Sequence, residues 1–153
     1  MSNDFMSKEY FLPGQSSPLG NTVDVNEAVL NMRTIIDKMP GGFFIYHADG
    51  NEEIIYANEA MLRIFNCDTV EEFKELTGGS FRGIVHPDDL DYVEESIEQQ
   101  IAESKYDLDY VEYRIIQKGG EIRWIEDYGH FTHSEFYGDV FYVFVGDATE
   151  KRK

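Results

Sequence analysis

The run VFYVFV, residues 140 to 145, is apolar at every position. A strand sends successive side chains to opposite faces. This one therefore needs cover on both sides, which places it in the middle of a sheet. It follows a break at Ser134-Glu135-Phe136-Tyr137-Gly138-Asp139, and from Tyr106 up to that break the apolar residues recur with a period of two. DYVEYRIIQKGGEIRWIEDYGHF is accordingly expected to form a hairpin turning at Gly119-Gly120, two residues able to take positive φ. Pairing Lys118 with Glu121 sets Ile115 opposite Trp124 and Arg114 opposite Ile125, and puts Tyr113, Ile115 and Trp124 on one face.

Upstream the apolar spacing changes to three and four. In DVNEAVLNMRTIIDKM, residues 24 to 39, Val25, Val29, Met32 and Ile36 line one face of an amphipathic helix. Asp24 caps its start with Glu27 three residues on, and Pro40-Gly41-Gly42 ends it. This helix, or a partner subunit, is the expected second cover for the 140–145 strand. FFIYHADGNEEIIYAN, residues 43 to 58, reads as two short strands around Asp49-Gly50-Asn51. Asn58 caps a short helix that turns Met61, Leu62 and Phe65 inward, and Thr69 with Glu72 starts another. In VHPDDL, Pro87 suits a first helical turn, while Asp88 and Asp89 meet the positive helix end. The helix expected over 87–104 buries Leu90, Val93, Ile97 and Ile101. Strands at both ends of the chain with helices between them predict an α+β fold, one antiparallel sheet with helices over one face. The divisions are an arm at 1–22, a flanking helix at 23–40, a domain at 41–150, and the start of an outgoing linker at 151–153.

Charge and motif content exclude several functions. Thirty acidic against 13 basic residues give a net charge of −17, which repels phosphate backbones and anionic head groups. Neither nucleic-acid binding nor membrane insertion is expected, since no apolar run approaches the ~20 residues of a membrane span. The first residues lack a secretion signal, and Cys67 is alone, so a reducing cytoplasm is the expected compartment. His86, Asp88 and Asp89 do not converge as metal ligands once a helix begins. Ser80, Ser96 and Ser104 sit in no nucleophile elbow, and the Gly-Gly pairs at 41–42, 78–79 and 119–120 are not phosphate loops. The chain is read as a non-enzyme.

The order of "IIYANEAMLRIFN", "VHPDDL", "YRIIQKGGEIRWIE" and the closing "GDATEKRK" resembles a PAS domain of the bacterial type with a His-Pro-Asp-Asp stretch and an Arg-to-Trp hairpin. The resemblance spans roughly residues 42 to 150. It implies a five-stranded antiparallel sheet in the order 2-1-5-4-3 with short helices on one face and the amphipathic helix flanking it. It also implies a sensory or relay module that forms a homodimer and regulates an effector, such as a histidine kinase or a cyclic-dinucleotide enzyme, in the same chain or a partner protein. The closing Asp147-Ala148-Thr149 matches the family's Asp-x-Thr, which implies that Asp147 and Thr149 couple the last strand to an outgoing segment. Light-sensing relatives follow their Asn-Cys with Arg-Phe-Leu-Gln, whereas Asn66-Cys67 is followed by Asp68-Thr69-Val70-Glu71. Haem-binding relatives carry a histidine in the long helix, and residues 87–104 hold none. No flavin or haem is expected. For an unidentified small-molecule ligand, Tyr56, Phe65, Tyr113, Ile115 and Trp124 are the candidate lining. Two other readings are a ligand-free protein–protein adaptor and a small stand-alone α+β enzyme.

Overall fold

The computed structural model describes residues 25–152. The 1–22 arm and the Asp24 cap lie outside the described residues. Helix α1 (Val25–Asp37) leads to β1 (Gly42–His47) and β2 (Ile54–Ala57). Three short helices follow: α2 (Glu59–Ile64), α3 (Val70–Thr77) and α4 (Phe81–Ile84). Then come α5 (Leu90–Glu103), β3 (Leu108–Ile116), β4 (Ile122–Ser134), β5 (Gly138–Asp147) and a closing 3-10 turn at Glu150–Arg152. The five strands form one antiparallel sheet in the order β2-β1-β5-β4-β3, so the VFYVFV strand is central.

The main core lies on the sheet face roofed by α2 to α5. Phe44 and Tyr46 of β1, Val111, Tyr113 and Ile115 of β3, Ile125 of β4 and Phe141, Val143 and Val145 of β5 pack there against Met61, Phe65, Phe73, Phe81, Val93 and Ile97. Tyr46 is the centre of an aromatic stack, its ring 4.5 Å from Phe81 and 5.0 Å from Phe141. A smaller cluster of Ile45, Ile55, Tyr56 and Val140, with Ile36 of α1 against it, lies on the other side. Helix α1 thus covers the β1–β2 end of that face. Tyr142 and Phe144 of β5 stay 40% and 39% exposed, so α1 is not a full second cover for the central strand.

The short helices begin where the residues direct. Asn58 Oδ1 accepts from the Met61 N–H at 3.0 Å. Thr69 Oγ1 accepts from the Glu72 N–H, and Glu72 reaches back to the Asp68 N–H. Helix α5 differs from the expectation. Pro87, Asp88 and Asp89 form a turn, the helix starts at Leu90, and Asp89 makes no capping bond. Asp89 is held elsewhere. It takes the Arg114 guanidinium through both oxygens, at 2.6 and 3.1 Å, and also the Arg114 backbone N–H at 2.8 Å.

The hairpin register also departs from the expected pairing. Arg114 faces Trp124, Ile115 faces Arg123 and Ile116 faces Ile122. Lys118 is not paired with Glu121. Gln117 is, and Lys118-Gly119-Gly120 form a three-residue loop closed by the Gly120 N–H to Gln117 O bond. Both glycines have positive φ, 101° and 94°. The reason is tertiary. The end of α2 leaves orphan carbonyls, and the loop fills them: Lys118 N–H donates to Phe65 O, and Gln117 Nε2 donates to Ile64 O. Lys118 is drawn out of the ladder, and a one-residue slip sends every later side chain of the strand to the opposite face. Trp124 therefore lies opposite Tyr113 and Ile115, with the Arg114 guanidinium 5.8 Å from its ring.

Candidate functional site

Three of the five candidate lining residues come together. Phe65, Tyr113 and Ile115 are buried in the main core. Tyr56 belongs to the α1-covered cluster, and its hydroxyl donates to Asp37 at 2.7 Å. Trp124 is on the outer face. The lining as first assembled is thus split by the sheet, for the register reason given above in the case of Trp124.

What alternation along β3 and β4 does place inward is acidic. Asp109 precedes Val111, Tyr113 and Ile115 on the inner face of β3, and Asp127 follows Ile125 on β4. Asp109 pairs with Gly129 and Val111 with Asp127, so the two carboxylates are diagonal neighbours. Gly129 is what admits Asp109: a Cβ at residue 129 would stand 2.5 Å from Asp109 Oδ2. The Tyr113 hydroxyl donates to Asp127 Oδ2 at 2.6 Å. Burial pushes Asp127 up to about 8, against the Tyr113 bond, and the Asp109 charge adds to the rise. Burial alone pushes Asp109 up to about 6. Glu52, on the turn between β1 and β2, is pushed up to about 8 by burial and by the neighbouring Glu94 carboxyl of α5. The signal for this group was present in the residues, as charged positions on the inward beat of a two-residue period.

Asn58 does more than cap. It is fully buried, its Oδ1 also accepts from the Phe43 N–H at 2.9 Å, and its Nδ2 donates to Ile36 O and Gly41 O at 2.9 and 3.2 Å. One side chain ties α1 to β1 and α2. The far end of the sheet has its own tie. Asp147 Oδ1 accepts from the Thr149 N–H, and Asp147 Oδ2 takes Arg123 Nη2 at 2.7 Å. Thr149 Oγ1 accepts from the Trp124 N–H at 2.9 Å, and the Ala148 N–H donates to Trp124 O. Burial raises the Asp147 carboxyl, but the Thr149 and Arg123 bonds outweigh it and hold it below the usual range. The remaining predicted residues sit apart. Cys67 is buried at the end of α2, its thiol 3.7 Å from Phe65 O. His86 Nδ1 accepts from the Asp88 N–H, and its backbone N–H donates to Arg114 O. Among the described residues no three His, Cys, Asp or Glu side chains converge as a metal site. No helix among them is long and apolar enough to cross a membrane.

The PAS-fold family model matches residues 54–143, more than half of the chain, and the chain belongs to that family. The structure is similar to the PAS domain of a two-component sensor histidine kinase, with TM-score 0.64 and 17% identity over 81% of this chain and 99% of that one. It is similar to the PAS domain of an HTR-like protein from Haloarcula marismortui, with TM-score 0.61 and 18% identity, covering 80% and 93%. A LOV protein from Rhodobacter sphaeroides gives TM-score 0.61 and 14% identity, covering 85% and 74%. At these identities the likeness is one of fold. No curated protein sequence matches the chain.

Proposed function

We propose that this PAS domain is a non-catalytic sensor and relay that works as a homodimer and regulates an effector, of the histidine-kinase or cyclic-dinucleotide class, in the same chain or a partner. The single observation that carries the reading is the position of Asp127. It lies in the interior, directly across the ladder from Val145, two residues before Asp147. Arg123, Trp124, Asp147 and Thr149 form the latch at the outgoing end of the same two strands. A small molecule that changes the charge or packing around Asp127 and Tyr113 acts on a stretch of β4 and β5 continuous with that latch. It shifts the balance between a pinned and a released outgoing segment only by its difference in affinity for the two.

Pairing is assigned to α1, through Val25, Val29, Met32 and Ile36, and to the outer face of the sheet; the side chains of Val25 and Val29 lie outside those described. Ile36 seats the helix on the sheet, while Leu30, Met32 and Ile35 stay exposed. On the outer face of the sheet run Phe144, Tyr128 and Tyr110, one cross-strand row of half-exposed aromatics. Such a patch fits an interface better than open solvent. Native mass spectrometry of freshly purified protein tests the reading. A dimer that carries a small-molecule adduct supports it. A bare monomer at micromolar concentration contradicts it.

A further inference from the structure

The interior gathers acid without matching base. Asp109 from β3, Asp127 from β4, Glu94 from α5 and Glu52 from the β1–β2 turn all act on the Tyr46 hydroxyl, which burial and these four charges together raise. Among the described residues, the ion pairs made to this group come from Arg82, 3.4 Å from Glu52 and 3.8 Å from Glu94, and its own side chain is half exposed. No ion pair of Asp109 or Asp127 appears there.

Asp109 is the decisive residue. It is 6% exposed, and neither of its carboxylate oxygens has a hydrogen-bond partner. A buried carboxyl without a donor is costly whether it is charged or neutral, because protonation gives it a hydrogen but still no donor to its oxygens. A native interior rarely leaves such a group unanswered. The missing partner must donate hydrogen bonds, and positive charge suits it to two neighbouring carboxylates. Among the described residues no third His, Cys, Asp or Glu joins the two carboxylates as a metal site would need. An N–H-bearing organic cation meets both conditions.

We propose that the buried acidic face shared by β3 and β4 binds a small organic cation of the primary-amine class, its ammonium held between Asp109 and Asp127. This names the ligand class of the interior site and rests on the sensory reading. The Tyr113 hydroxyl fixes one oxygen of Asp127 in place. Gly129 keeps the Asp109 carboxylate flat on β4. Glu52 and Glu94 deepen the negative field around Tyr46, where Arg82 partly offsets them. Because Asp127 carries a proton near neutral pH when the site is empty, an ammonium that enters expels one, and the charge balance closes with proton release to solvent.

The test uses n-butylamine as probe at pH 7.5 and matched ionic strength. Comparators are 1-butanol, a neutral isostere, and tetramethylammonium, a cation without N–H. Thermal unfolding and saturation-transfer NMR read binding, and calorimetry in phosphate and Tris buffers reads proton release. The expected result is a saturable rise in Tm with butylamine alone, with proton release, and a loss of about tenfold or more in affinity in Asp109→Asn. Glu94→Gln, at a partly exposed position of α5, weakens binding too and serves if Asp109→Asn does not fold. Equal responses to 1-butanol or tetramethylammonium, no saturable response, or unchanged binding in the folded variants overturns the proposal. A copurified neutral molecule without any amine response overturns the amine class and leaves the sensory reading standing.

Discussion

At the scale of single residues, the structure depends on a few side chains that satisfy several distant backbone groups at once. Asn58 is the clearest. Its four bonds reach Met61, Phe43, Ile36 and Gly41. Asn58→Ala removes a helix cap and strands buried backbone groups, and is expected to cost about 3 kcal/mol or more. Urea unfolding measures it; a loss under about 1 kcal/mol, the value of a bare cap, contradicts the multiple role. The cap was legible in the residues, since Asn before an apolar helical run is a local pattern. The three other bonds were not, because their partners are brought in by tertiary folding. The buried acids set the response to pH. Asp127, at about 8, and Asp109, at about 6, both stand above the ordinary 3.8. The unfolded chain releases these protons first, so their contribution is full below about pH 4 and is lost as pH rises to about 6 and about 8. Asp89 is held low by its hydrogen bonds to Arg114, and Asp147 by Thr149 and Arg123, so both work the other way. Their contribution is present above the unfolded value and lost as pH falls through the folded one. Stability is therefore expected to peak in mildly acidic solution. Asp127→Asn is expected to shrink the drop in urea midpoint between pH 5 and pH 8.5; an equal drop in the variant contradicts the assignment.

At the scale of elements, β3 is an edge strand, and α5 with the turn before it protects the edge. Asp89 takes the Arg114 N–H, and His86 N–H donates to Arg114 O. Tyr92 donates to Glu112 O. Gln100 answers both the N–H and the C=O of Tyr110, at 2.9 Å each. The His-Pro-Asp-Asp stretch is thus a clamp on β3 more than a helix start. A charged residue before an apolar helical run reads as a helix starter from local pattern alone, and its real partner is 25 residues away. Arg114→Ala leaves the largely buried Asp89 without its guanidinium and is expected to lower the urea midpoint. Hydrogen exchange is expected to speed up in residues 86–93 and 110–114; unchanged exchange there contradicts the clamp. The hairpin gives the same lesson. Its existence followed from periodicity, but the expected two-residue Gly-Gly turn is a three-residue loop, and the register was decided by carbonyls of α2 that no hairpin pattern contains. The split of the candidate lining at Trp124 comes from that one slip.

At the scale of the whole molecule, the sheet has two unlike faces, one roofed by helices and one partly exposed. The strand order and the central place of VFYVFV followed from two-sided apolarity and the family resemblance, because both depend on the chain's overall pattern. The acidic interior was hidden by the abundance of acid on the surface: with 30 carboxylates, only inward position singles out Asp109 and Asp127. The outer face carries the exposed row through Tyr110, Tyr128 and Phe144. Tyr128→Glu with Phe144→Glu is expected to convert a dimer to a monomer in sedimentation velocity without loss of fold; a persistent dimer moves the interface away from this face.

The proposed relay from interior to outgoing segment is tested most directly by hydrogen exchange of residues 146–150 between pH 6 and pH 9, corrected for intrinsic rates. The groups around Asp127 that titrate or bear charge are Asp109 and Tyr113 of β3, Tyr46 of β1, Glu94 of α5 and Glu52 of the β1–β2 turn. Protection of the Ala148 and Thr149 amides is predicted to change as pH passes about 8 in the native protein, and to change much less in Asp127→Asn. The same pH profile in both proteins would contradict the relay.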